Sequence, residues 1–144
     1  MDLDRRSFLA LLGAAAAAPT LARAAGGGMV VTDVIGRRVE LAGPVARIVL
    51  LDARDVISMA LLHPDPSRLV VGWADVARFD SDLLRRRYER RPDGSLIAEV
   101  GGQTPDTLSV EHILSLTPDL VVASAYMEPE LGEGRLVRQL AAAG

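Results

Sequence analysis

The chain has 144 residues, with 16 basic and 19 acidic side chains, no cysteine and 49% apolar residues, a length that suits one domain or part of one. The near-balanced charge argues against a dedicated nucleic-acid binder or a charged disordered tail. The lack of cysteine removes disulfide frameworks, thiolate metal sites, thiol nucleophiles and a lipid-modified N-terminal Cys. Every basic residue is Arg, so phosphate-loop lysines and Schiff bases also drop out.

Residues 1–24 read as an export signal. Arg5-Arg6 precedes Ser7-Phe8-Leu9, an apolar run extends from Phe8 to Ala18, and Ala22-Arg23-Ala24 supplies a small-residue exit. The run is shorter than the roughly 20 residues a membrane-spanning helix needs. Arg5, Arg6, Phe8 and Leu9 resemble the twin-arginine pattern, which predicts cleavage after Ala24 and delivery of an already folded, unanchored product to the periplasm.

Gly26-Gly27-Gly28 opens the mature chain. Met29–Asp33 and Arg38–Leu41 are β-favouring runs punctuated by Gly36, which predicts a hairpin. Ala46–Leu51 is continuously apolar, as in a strand buried on both faces. The next predicted helix buries Val56, Ile57, Ala60 and Leu61 and stops at His63-Pro64. Arg68–Trp73 reads as a second buried strand. A helix over about 80–91 then places Leu83, Leu84 and Tyr88 on one side. Pro92-Asp93-Gly94 is a turn by composition, and Ser95–Val100 is ambiguous. Ser109 is placed to cap a helix carrying Val110, Ile113 and Leu114, with Pro118 after it. Leu120–Ser124 is a third buried strand, and a last helix runs from about Glu133 with Leu136, Val137 and Leu140.

Short apolar runs alternating with helical patterns predict βαβ units and a Rossmann-like parallel sheet, an α/β lobe over residues 25–144. Gly144 reads as a helix cap that leads into a further strand, so the lobe is expected to be incomplete at its C-terminus.

Open parallel sheets bind ligands at the carboxyl ends of their strands. That rule selects the loops at Asp52-Ala53-Arg54, Trp73-Ala74-Asp75 and Ala125-Tyr126-Met127-Glu128, with Gly101-Gly102-Gln103-Thr104 as a fourth. Trp73 and Tyr126 would offer stiff contact area to a bulky ligand, or simply cover the sheet end. Arg54 would contact an anion, or pair with Asp52 or Asp55. His63 and His112 have no companion at metal-ligand spacing. The five arginines within Arg85–Arg91 suit a solvated helix C-terminus. No catalytic motif is present, and no paired carboxylates demand acid–base work, so the residues point to a binding lobe rather than an enzyme.

Three stretches together resemble a family: Val31-Thr32-Asp33 with Gly36-Arg37, Val39 and Leu41; Pro44 with Arg47-Ile48-Val49; and Leu108–Val122, the most specific of the three. They are similar to the periplasmic substrate-binding proteins of ABC importers for iron–siderophores, haem and cobalamin. The resemblance covers the N-terminal lobe of that family. It implies two α/β lobes joined by a long helix, a chelated ferric ion held between them as cargo, no resident cofactor, a monomer, and an inner-membrane permease as partner. By position it implies ligand contacts at Trp73, Gln103 and Tyr126, to which Arg54 is added from the loop argument, and permease docking through Glu111. Some hydroxamate-siderophore binders carry Arg where this chain has Gln103. Haem and cobalamin are the alternative cargoes, and a single lobe with half a cleft is also open to the reading that it binds nothing alone.

Overall fold

The structure is a computed structural model, and it describes residues 28–102, 104–124, 127 and 135–142, apart from the side chains of 135 and 141. The export signal with Arg5 and Arg6, the Ala24 cleavage point, the start of the last helix at Glu133 and the Gly144 cap lie outside the described residues.

The hairpin forms as its Gly punctuation predicts. Strand β1 (Met29–Thr32) pairs antiparallel with β2 (Arg38–Leu41) in the register Met29↔Leu41 to Thr32↔Arg38. The turn is organised by one carboxylate: Asp33 Oδ1 accepts from the Ile35 and Arg37 amides at 3.0 and 2.9 Å, while Oδ2 pairs with Arg37 Nε at 2.7 Å. Gly36 takes φ +82 there, a conformation a side chain would resist.

The rest is a mixed α/β unit on a four-stranded parallel sheet. Strands β3 (Ile48–Leu50), β4 (Val70–Trp73), β5 (Ala98–Glu99) and β6 (Leu120–Val122) lie in the order β5-β4-β3-β6. The chain steps outward from β3 to β5, then crosses back to add β6 on the other side of β3. That reversal is a topological switch point, and it falls between β3 and β6.

Alternation along β3 divides the core into two layers. Val49 and Leu51 face one side with Val71, Val100, Leu108, Ile113 and Leu136. This layer is covered by helices α3 (Val110–Ser115) and α4 (Arg135–Ala142). Ile48 and Leu50 face the other side with Val56, Val70, Trp73 and Ile97. Helix α1 (Asp55–Met59) supplies Val56 to this layer, and α2 (Asp82–Tyr88) packs Tyr88 against it.

Several boundaries and faces differ from the sequence expectation. Residues 66–68 form a short 3-10 turn instead of opening β4, because Pro66 fixes the backbone ahead of the strand. Of the residues this helix is expected to bury, only Val56 is buried; Ile57 is exposed, since the helix is only five residues long and presents one face to the sheet, and Leu61, beyond its end, is exposed as well. Leu83 is likewise solvent-facing, while Tyr88 turns inward. The ambiguous segment 95–100 supplies β5. β6 is half-buried, being an edge strand among the described residues.

Ser109 caps α3 as expected, its Oγ accepting from the His112 amide at 3.2 Å. Two close approaches depend on glycine. Gly72 in β4 leaves room for Leu116, whose Cδ1 would lie 2.6 Å from an added Cβ. Gly101, at φ +138 directly after the β5 edge, brings the backbone against the Thr107 carbonyl and Leu108, where a Cβ would collide.

Candidate functional site

The carboxyl ends of the sheet are tied together by backbone hydrogen bonds that extend each strand. Leu51 N–H donates to Val122 O at 2.9 Å, Ala74 N–H to Leu50 O at 2.8 Å, and Ala53 N–H to Ala74 O at 2.8 Å. Asp75 N–H reaches Gly101 O at 2.9 Å. Residues 51–53, 74–75 and Gly101 are therefore held on one rim, which carries Asp52, Arg54, Asp55 and Asp75.

Asp52 is almost completely buried, and Arg54 encloses its carboxylate. Arg54 Nε donates to Oδ1 at 3.0 Å, Nη2 to Oδ2 at 2.6 Å, and its backbone N–H to Oδ1 at 2.9 Å. The hydrogen bonding from Arg54 holds Asp52 below the usual carboxylate range, overcoming the opposing effect of burial. Of the two roles open to Arg54 in the sequence, the structure populates the ion pair with Asp52. Asp75, in the left-handed region at φ 59, meets Arg78 more loosely at 3.5 Å.

Asp55 opens α1 on the same rim. Its Oδ2 accepts from Ser124 Oγ, 3.3 Å away at the end of β6, so the contact crosses the switch point. Burial pushes the Asp55 carboxyl above its ordinary value, and the nearby charge of Asp52 adds to the shift. Below this contact lies an open cleft of about 450 Å³. Leu50, Met59, Leu62, Val122 and Ala123 line it together with the polar side chains of Asp55, Ser58 and Ser124. Asp55, Ser58 and Met59 stand at i, i+3 and i+4 on one face of α1, and Leu62 joins them from the turn that follows the helix. The neighbouring apolar stripe at Val56, Ile57, Ala60 and Leu61 is the more conspicuous pattern in the sequence. The available signal was the mixed polar and apolar spacing immediately after the strand that precedes the switch point.

Trp73 ends β4 but does not stand at a crevice mouth. It is 3% exposed and meets Phe79 edge-on, with ring centroids 5.8 Å apart and planes at 60°. It packs in the layer of Leu50 and Val56. The sheet-covering role is the one the geometry gives it, because the chain folds Phe79 back over the strand end. Gln103 and Tyr126, the other two ligand contacts implied by the resemblance, lie outside the described residues.

Glu111 is exposed in the first turn of α3, where a carboxylate complements the helix N-terminus. It borders a second groove, of about 320 Å³, between α3 and α4, whose lining includes Asp106, Leu108, Leu136 and Gln139.

The stretches that carried the family resemblance have clear structural work. Arg47 Nη2 and Nε donate to Leu116 O at 2.6 and 3.1 Å, and Nε also reaches Thr117 O at 3.0 Å. In return, Asp119 Oδ2 accepts from the Ala46 and Arg47 amides, both at 2.9 Å. The second and third stretches are thus clasped to each other at the amino ends of β3 and β6, opposite the rim. Thr117, with φ 44, makes the turn that brings its carbonyl to Arg47.

Among the described residues, no helix is long and apolar enough to cross a membrane, and no three potential metal-ligating side chains stand together. No family model, curated protein or solved structure matches the chain significantly. What fold and site together define is a mixed α/β unit with a four-stranded parallel sheet, compatible with a Rossmann-like lobe, and an open cleft at its switch point.

Proposed function

We propose that the chain is the N-terminal lobe of an exported, periplasmic substrate-binding protein. It would serve an ABC importer of ferric-siderophore-type complexes, without covalent chemistry. The observation that carries this reading is the strand reversal between β3 and β6, with a cleft opening beside it. Ligands of open parallel sheets lie at such points, and a concave site with an apolar body and a few polar groups is the usual form of a small-molecule site. The resemblance over Leu108–Val122 supplies the class of cargo, and the Arg47–Asp119 clasp gives two of the resembling stretches a common structural purpose.

In this reading Asp55, Ser58 and Ser124 bind the polar periphery of the chelate, while Leu50, Met59 and Val122 meet its apolar parts. Arg54 presents only what its pairing with Asp52 leaves accessible. Gln103 and Tyr126 remain proposed contacts from the resemblance. Trp73 serves as a reporter: a ferric chelate bound within energy-transfer range quenches its emission without touching it.

Titration of the 144-residue chain with ferric hydroxamate, ferric catecholate, haemin and cobalamin, read by Trp73 emission, tests the proposal. Saturable quenching by a ferric siderophore is the expected result. Saturation by haemin or cobalamin instead reassigns the cargo within the same family, and a flat response to all four removes the import reading. For the permease contact, Glu111→Ala should lower permease-dependent uptake several-fold with ligand affinity unchanged. A matching loss of affinity would move Glu111 from the docking surface to the ligand site.

A further inference from the structure

A separate surface concerns where the molecule sits rather than what it carries. The arginines of α2 and of the turn that follows it divide into two groups by what they touch. Arg85 bridges Glu89 at 2.9 Å and Asp82 at 3.4 Å, and Arg91 donates to Val70 O at 2.8 Å. These are structural. Arg86 and Arg87 are exposed and have no carboxylate partner among the described residues, and Arg90, also exposed, reaches only the Gly94 carbonyl.

These three do not stand alone. Leu83 is 78% exposed and lies three and four residues before Arg86 and Arg87, on the same helical face. One turn on, Arg90 is bridged to Leu96, which is 58% exposed. Two exposed leucines therefore accompany three guanidiniums that lack carboxylate partners among the described residues. The patch is held in place from behind: Ser81 caps the helix, Tyr88 enters the core, and Ile97 N–H donates to Glu89 O at 2.9 Å.

We propose that this face of α2, with Leu96 beside it, docks on an anionic phospholipid surface. Charge complementarity selects the occupant. A plane of headgroup phosphates can satisfy guanidiniums at any spacing, each by paired hydrogen bonds, and the interface just beneath it receives Leu83 and Leu96. An acidic peptide would satisfy the arginines and leave the leucines in water. The chain as a whole carries a net charge of −3, so an anionic membrane repels the remainder of the molecule and attracts this face, which fixes orientation as well as attachment. The proposal is independent of the solute bound at the switch point.

The test is co-sedimentation of the full chain with vesicles of phosphatidylcholine alone or mixed equally with phosphatidylglycerol, across a salt series. Wild type should pellet with the mixed vesicles, less so as salt rises. Arg86→Glu/Arg87→Glu, which breaks no observed contact, should weaken that binding by roughly tenfold or more, and Leu83→Ser should reduce the part that survives high salt. Circular dichroism identifies any variant that fails to fold. Equal sedimentation with both vesicle types overturns the proposal. So does a charge-reversed variant that binds as tightly as wild type, since attachment would then lie elsewhere, for instance in Arg5 and Arg6. Capture of poly-glutamate with indifference to both vesicle types overturns it in favour of an acidic protein partner.

Discussion

Asp52 and Asp55 stand three positions apart, and their surroundings push them in opposite directions. The Arg54 hydrogen bonds lower Asp52, whereas burial and the Asp52 charge raise Asp55. Linkage turns this into a stability prediction. Asp52 contributes stability that is fully present above its unfolded value, near 3.8, and lost as pH falls through the lower folded value. Asp55 does the reverse. Between 3.8 and its raised folded value the native state keeps a proton that the unfolded chain has released, so stability declines as pH rises through that window. The unfolding free energy of Asp52→Asn near neutral pH should therefore be lower by about 1–3 kcal/mol, because the charge-assisted hydrogen bonds between Asp52 and Arg54 are weakened. Asp55→Asn should raise the midpoint near neutral pH, and the gain should shrink as pH falls through the raised folded value and be gone below about 3.8. A midpoint for Asp55→Asn that is lower than wild type and independent of pH would show that the Ser124 hydrogen bond outweighs the burial of charge.

At the scale of elements, the clasp at the amino ends of β3 and β6 explains why some of the fold was legible in the sequence. Removing the Asp119 carboxylate in Asp119→Ala leaves two backbone amides without their acceptor. The expected loss is about 0.5–1.5 kcal/mol by chemical denaturation, since water can reach these exposed amides, with no change in ligand response, because the clasp lies at the opposite end of the sheet from the rim. The buried strands, the hairpin and the Ser109 cap were readable because apolar runs, Gly punctuation and a capping hydroxyl are local signals. Helix α1 was harder. Its five residues carry too little periodicity to say which side faces the sheet, and Ile57 and Leu61 have the hydrophobicity of core residues while standing in water. Trp73 shows the limit for sites. Its place at a strand end was correct, but its enclosure depends on Phe79, which the backbone returns to it by a turn that sequence pattern does not reveal. The Asp55–Ser124 contact joins residues 69 positions apart and depends wholly on the order of the strands.

Across the whole molecule, burial is unevenly shared. β3 and β4 are buried throughout, β6 is half-buried, and all four residues of β1 are exposed. Regions with few buried apolar contacts open at lower free energy than the core. Native-state hydrogen exchange should thus give the slowest amides at Val49, Leu50 and Val71. The β1–β2 hairpin should exchange at least about tenfold faster, through an opening that leaves the sheet intact. Equal protection in hairpin and sheet would mean that the two open as one cooperative unit.

The clasp between Arg47 and Asp119 also dictates a schedule. The partners are 69–73 residues apart in the chain, and β3 is the central strand yet the first of its sheet to be synthesised. Until the ribosome has delivered Asp119, one edge of β3 has nothing to pair with, and closing so long a loop carries an entropic cost that only the finished sheet repays. Assembly of this sheet consequently waits until Asp119 and β6 have emerged. A chaperone that shields the naked flank of β3 would find its substrate in that interval.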